Sequence, residues 1–141
     1  MVVNFIKLNA NAKAPTKAHT DDAGFDLYSL EDLTLKPHSV AKVNTGIAID
    51  IPTGHVGYVY GRSGMSLRGV SLANGVGVVD AGYHGDLSVI LQNSGSDDFY
   101  ISVHDRIAQM VIMPVPEIKL IEVSELPETM RGSDGFGSSG V

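Results

Sequence analysis

The sequence predicts an all-β domain of the sandwich or barrel kind. Three observations carry that expectation. Short runs dense in β-branched and aromatic residues recur along the chain. Gly, Pro, Asn and Asp punctuate them every ~8–12 residues, the spacing of sandwiches and barrels. No long stretch carries the apolar periodicity of an amphipathic helix.

The runs are read in chain order. "VVNFIKL" (2–8) alternates and gives a first strand. "LTLKP" (33–37), "SVAKV" (39–43), "GIAIDIP" (46–52) and "VGYVY" (56–60) follow, each closed by turn residues. "GMSLRG" (64–69) is the best helical candidate, one or two turns after Ser63 and closed by Gly69. "LSVILQN" (87–93), "FYISV" (99–103), "RIAQMVIMPV" (106–115) and "IKLIEV" (118–123) complete the strand set. No internal repeat or heptad is present. Residues 1–123 therefore read as the β-barrel domain and 124–141 as a flexible C-terminal arm, acidic and then Gly/Ser-rich. Eighteen extended residues would reach roughly 60 Å, enough to touch another subunit.

Composition narrows the function. At 141 residues one domain is the default, and the apolar content of 43% suffices for a core. With no cysteine there is no disulfide framework, thiolate metal site or cysteine nucleophile. The net charge of −6 opposes non-specific nucleic-acid binding. No run has the length of a membrane span and no signal-peptide stretch opens the sequence, so a soluble, cytoplasmic protein is expected. All four arginines (Arg62, Arg68, Arg106, Arg131) lie in or beside the segments singled out below, whereas the lysines are scattered. The planar guanidinium suits phosphate oxygens.

Four internal segments and the tail could carry chemistry. "DDAGFDLYS" (21–29) holds three aspartates around Gly24 and fits equally a turn entering a strand. "GRSGMSLRG" (61–69) sets Arg62 and Ser63 between glycines at a helix start, a phosphate-type arrangement or an ordinary turn and cap. In "NGVGVVDAGYHGDLSVILQN" (74–93), Asp80 follows Val78 and Val79, where the chain should be strand-like and partly buried. "AGYHG" reads as a hairpin turn with Tyr83 at its tip and Asp80 at its mouth. In "HDRIAQMVI" (104–112), Gln109 is the one long polar residue among apolar ones, and alternation puts Arg106 with Ala108 on the face opposite Gln109. The five histidines show no metal-ligand spacing. In the tail "RGSDGFGSSGV", Arg131 and Phe136 are residues that a plain spacer does not need.

In order, "AGFDL", "GRSGM", "GVVDAGYHGD", "DRIAQ" and "RGSDGFGSSG" make the chain resemble the trimeric deoxyuridine triphosphatase (dUTPase) family, from residue 23 to residue 140. The resemblance implies a jelly-roll-like β fold, a homotrimer with active sites between subunits, and hydrolysis of dUTP to dUMP and pyrophosphate. That reaction limits uracil in DNA and supplies dUMP for thymidylate synthesis. Carried over by motif, Asp80 matches the carboxylate that activates water, and Tyr83 the residue that packs on the deoxyribose. Gly77, Val78 and Val79 match the uracil slot, with Asn74 beside it. Arg62, Ser63, Gly64 and Gln109 match phosphate contacts, and Asp26 the carboxylate that holds Mg²⁺. Arg131, Phe136, Gly137, Ser138 and Ser139 match the closing arm, the guanidinium on the γ-phosphate and the phenyl ring over uracil. The resemblance also implies an arm that orders only with nucleotide. Three positions depart from the usual motifs: His104 where Gly is common, Asp134 where Gly is common, and His84 where Arg is frequent. The related dCTP deaminases use a glutamate in the strand after the third motif, and "LSVILQN" has none.

Overall fold

Eleven strands and one helical turn form the described part of the chain, residues 1–140 of a computed structural model. They are β1 (Asn4–Lys7), β2 (Phe25–Tyr28), β3 (Leu33–Leu35), β4 (Val40–Val43), β5 (Ile47–Asp50), β6 (His55–Tyr60), α1 (Ser63–Ser66), β7 (Val70–Leu72), β8 (Gly77–Val79), β9 (Val89–Asn93), β10 (Phe99–Ile101) and β11 (Arg106–Pro114). Every named pairing is antiparallel. A four-stranded sheet runs β2-β11-β6-β8, a three-stranded one β4-β9-β7, and the pairs β1-β5 and β3-β10 complete the set. Consecutive strands repeatedly change sheet, which gives the expected jelly-roll-like sandwich.

Alternation explains which side chains meet inside. In β9, Val89, Leu91 and Asn93 point inward while Ile90 and Gln92 face outward. Leu27 from β2, Leu35 from β3, Ile47 from β5, Val70 from β7 and Ile107 and Met110 from β11 join Val89 and Leu91 in one cluster. Leu91 is 1% exposed. Leu91→Ala is expected to cost about 2–5 kcal/mol, the range for emptying a buried leucine site. A lowered guanidinium midpoint with an unchanged slope checks it.

Asn93 joins Ser29 and Thr45 as a buried polar residue, and both ends of its amide are hydrogen-bonded. Nδ2 donates to the Leu35 carbonyl at 2.9 Å and to the Asp97 carbonyl at 2.8 Å. Its Oδ1 accepts the Gly95 N–H at 2.9 Å. Beyond that turn, Lys36 Nζ bonds Asp98 Oδ2 at 2.7 Å, which raises the Lys36 pKa above its ordinary value. The chain leaves the turn after α1 through Gly69, at φ +81°, where an added Cβ would stand 3.0 Å from the Gly95 nitrogen. Glycine is required there on both counts.

Three sequence expectations change. "IKLIEV" is not a strand: residues 118–123 lie outside every sheet and are exposed. Its alternation pairs with no strand of this chain among the described residues. "AGYHG" is not a hairpin turn, because β8 pairs with β6 while β9 pairs with β4 and β7. The segment instead crosses from one sheet to the other. β7, only three residues long, joins the strand set unforeseen.

Candidate active site

The site residues from the first, second and fourth motifs converge where β2 meets β11. A bulge in β11 decides what is presented there. Arg106 pairs with Tyr28 and Ala108 with Leu27, leaving Ile107 as the extra residue. Ile107 and Ala108 are therefore both buried, and Arg106 and Gln109 line one pocket instead of opposite faces. Strict alternation fails because the pleat is interrupted.

Asp26 on β2 faces two guanidinium groups. Arg62 Nε lies 3.4 Å from its Oδ1 and Arg106 Nη1 lies 3.5 Å from its Oδ2. Arg62 Nη1 also donates to the Arg106 carbonyl at 3.3 Å. Gln109 Nε2 donates to the Gly61 carbonyl at 3.1 Å. A Cβ at Gly24 would stand 3.0 Å from Gln109 Oε1, so glycine makes room for that amide. Ser63 and Gly64 open α1, which Gly61 and Arg62 separate from β6, and are exposed, and nothing stands within 4 Å of where a Gly64 Cβ would be. Asp26, Arg62, Ser63, Gly64, Arg106 and Gln109 together line a pocket of about 360 Å³. Asp22 is also at its wall, its carboxylate accepting the His19 N–H at 2.8 Å. Forked donors held by one carboxylate, beside a hydroxyl and an open backbone, suit phosphate oxygens.

The magnesium expectation can be weighed against these donors. Among the described residues no group of three or more His, Cys, Asp or Glu could cage a metal ion. Asp26 is a single carboxylate already shared by two arginines. Such a site fits Mg²⁺ only as an ion that keeps its waters and arrives on phosphate oxygens.

His104 stands two residues before β11, in place of the common glycine, and adopts a glycine-like φ of +67°. Two hydrogen bonds hold it: its N–H donates to the Ser29 carbonyl at 2.8 Å, and its Nε2 bonds the Asn11 carbonyl at 2.7 Å. His104 thus takes the left-handed backbone conformation that a glycine there would reach freely.

The third-motif residues lie at the other edge of the same sheet. β2 and β8 are its outer strands, three strand intervals apart, about 14 Å. A cleft of about 260 Å³ opens between β8 and β9, and Asn74, Gly77, Val78, Val79, Asp80 and Tyr83 all line it. β8 pairs with β6 along one edge only, so its other edge offers unpaired backbone N–H and C=O groups. A Cβ at Gly77 would stand 3.0 Å from Val59 Cβ, which explains the glycine in that strand. Val79 is buried, and Asp80 is exposed instead of partly buried, because alternation along an edge strand turns it outward into the cleft. Tyr83 is 49% exposed, and its hydroxyl donates to the Asp86 carbonyl at 3.1 Å.

The arm touches neither pocket. Residues 124–140 form no strand, and Phe136 is fully exposed. Tight turns shape it: Arg131 Nε donates to the Asp134 carbonyl at 3.1 Å, and the Ser138 N–H to the Gly135 carbonyl at 3.0 Å. Phe136 takes φ +50°, and Gly137 follows at +87°. Ser139 is exposed beside them.

Two residues of these sites escape a motif-by-motif reading. Arg106 reaches Asp26, and only the run of arginines in singled-out segments hinted at it. Asp86 lines the cleft and accepts two backbone amides, Thr45 N–H at 3.1 Å and Gly46 N–H at 2.7 Å. An acidic residue at the entry of an apolar run was its sequence signal.

Known proteins resemble this chain over nearly its whole length. A dUTPase family model matches residues 10–140. The deoxyuridine 5'-triphosphate nucleotidohydrolase of Alkaliphilus metalliredigens is 43% identical over 96% of this chain and 94% of its own length. That of Tropheryma whipplei is 48% identical over 89% and 88%. The Staphylococcus bacteriophage 80alpha dUTPase, solved with dUpNHpp, superposes with a TM-score of 0.92 at 32% identity, covering 99% of both chains. A variant dUTPase from phage phi11 of S. aureus, described with a structural Mg(II) ion, gives 0.84 at 28% identity over 91% of this chain and 100% of that one. With the family match spanning nearly the whole length and the motif residues gathered into two clefts, the chain belongs to the dUTPase family.

Proposed function

We propose that this chain hydrolyses dUTP to dUMP and pyrophosphate, at sites completed between the copies of a homotrimer. One observation carries the reading: the nucleoside-side residues share one cleft and the phosphate-side residues another, on opposite edges of one sheet. One chain then supplies Asp80 and Tyr83 while a second supplies Arg62, Ser63, Gly64 and Gln109.

The chemistry follows from these groups. The free edge of β8 pairs with uracil O2, N3–H and O4 through Gly77 to Val79, with Asn74 nearby. Cytosine keeps O2 but reverses donor and acceptor at N3 and at position 4, leaving buried groups unpaired at about 1–3 kcal/mol each. Tyr83 packs on the sugar where a 2′-hydroxyl would sit. Asp80 takes a proton from water as its oxygen attacks the α-phosphorus. The bond from that phosphorus to the bridging oxygen breaks, and pyrophosphate leaves with the electron pair. Arg62, Ser63, Gly64 and Gln109 orient the phosphates. From the arm, Arg131 binds the γ-phosphate, Phe136 covers the base, and Gly137, Ser138 and Ser139 approach the phosphates while water is excluded. When bound with the triphosphate at Asp26, Mg²⁺ supplies positive charge on the phosphate oxygens. No helix is long and apolar enough to cross a membrane, and a cytoplasmic location fits this nucleotide chemistry.

Pyrophosphate release measured across the four dNTPs, dUTP and UTP tests the reaction. Activity selective for dUTP is expected, and none or an indifferent profile overturns it. Tyr83→Ala is expected to narrow the dUTP-over-UTP preference by about tenfold or more. An unchanged ratio of kcat/KM values removes Tyr83 as the sugar gate. In mixed assemblies, Arg62→Ala and Asp80→Asn chains should restore part of each other's activity. Failure to complement would place each site within one chain.

A further inference from the structure

The segment from Asp80 to Asp86 carries the residue that meets the sugar, yet no strand pairing holds it. Tyr83 is half exposed, and its position is set locally. Its N–H donates to the Asp80 carbonyl at 3.2 Å and its hydroxyl to the Asp86 carbonyl at 3.1 Å. Its ring lies over Gly85, where an added Cβ would stand 2.6 Å from Tyr83 Cζ. The ring is therefore only as fixed as the backbone of residues 85 and 86.

That backbone is anchored by the Asp86 side chain. One carboxylate oxygen accepts the Gly46 N–H at 2.7 Å, and the other accepts the Thr45 N–H at 3.1 Å. The second oxygen also accepts the Ser88 hydroxyl at 3.0 Å, which lies 2.9 Å from Asn44 Oδ1 as well. Gly46 has φ +69°, so the turn between β4 and β5 directs its two amides at one carboxylate. Charge-assisted bonds of this length are the stronger kind. The neighbouring Leu87 N–H donates to the Ile47 carbonyl at 2.8 Å, continuing the anchor along β5. On the other flank, His84 Nε2 lies 3.1 Å from Asp50 Oδ1 at the end of β5. Both those side chains are more than half exposed, so that pair is the weaker tether.

We infer that Asp86 is a positioning residue for sugar discrimination: by pinning residues 85 and 86 to the Thr45 and Gly46 amides it holds the Tyr83 ring against the site of the 2′-hydroxyl. This rests on the reading of Tyr83 as the sugar gate. Asp86 does not touch the reacting atoms, so its loss should loosen selectivity more than chemistry.

The test is a double-mutant cycle on the dUTP-to-UTP ratio of kcat/KM. Asp86→Asn keeps one acceptor oxygen but turns an NH₂ toward a backbone N–H. It is expected to lower the ratio about tenfold. Tyr83→Phe removes only the hydroxyl bond to Asp86 and should lower the ratio in the same direction, so the inference stays testable if Asp86→Asn folds poorly. Adding Asp86→Asn to Tyr83→Ala should lower the ratio no further, because both act through one ring. A ratio unchanged in Asp86→Asn and Tyr83→Phe, or full additivity in the cycle, overturns the role of Asp86. If Tyr83→Ala alone leaves the ratio unchanged, the sugar-gate reading fails first.

Discussion

Asp80→Asn is expected to bind dUTP and to hydrolyse it about 10²–10⁴-fold more slowly than the parent chain, the usual worth of a positioned general base. Asparagine is nearly isosteric, and Asp80 is an exposed residue at the rim of the cleft with no structural hydrogen bond through its carboxylate among those found. The fold therefore has no reason to change. Nucleotide binding by calorimetry and turnover by pyrophosphate release separate the two effects. A variant that turns over dUTP as fast as the parent would remove Asp80 as the base.

Removal of residues 131–141 should have an effect of comparable size. In the proposed reading, the loss of Arg131 takes a cation from the phosphates, and the loss of Phe136 takes the cover from the base. Arginines that complete phosphoryl-transfer sites from outside are worth about 10³–10⁵-fold. The barrel should not notice, since none of residues 131–140 enters the core and Phe136 packs on nothing within its own chain. The expected outcome is an unchanged circular dichroism spectrum and melting curve with turnover down by about 10³-fold or more. Full activity in the truncated chain would make the tail a spacer.

Much of this was legible in the residues because alternation and turn chemistry are local. The runs around Ile47, Val59 and Leu91 became strands where their period-two pattern and bounding glycines put them. The one-turn helix after Arg62 and its Gly69 exit also follow from local rules. What escaped was set by distant partners. "IKLIEV" has a strand's pattern, but a pattern alone does not say whether a partner strand lies beside it, and on this chain none does among the described residues. The order of β8 and β9 looks like a hairpin until their partners prove to be β6 and β4. Asp86 reads as a polar residue near a strand, and only the fold brings the Thr45 and Gly46 amides to it from forty residues away. The motif residues were legible as a set because the resemblance gave their order. Their sorting into two separate clefts was not, because sheet order is absent from the linear sequence.

The extra residue in β11 has a consequence for how this strand tolerates change. Ile107 works as a phase shift: up to Arg106 the strand keeps one beat, and from Ala108 onward it keeps the other. What keeps Arg106 and Gln109 on one side is that Ile107 is left out of the ladder, not the number of residues between them. Removing Ile107 would leave Arg106 and Gln109 two places apart in a regular ladder, still on one side, at the cost of the buried side chain. Drawing Ile107 into the ladder without shortening the strand would turn Arg106 away from Gln109 and leave Asp26 with a single guanidinium. Position 107 is therefore more sensitive to a change that straightens the strand than to one that shortens it.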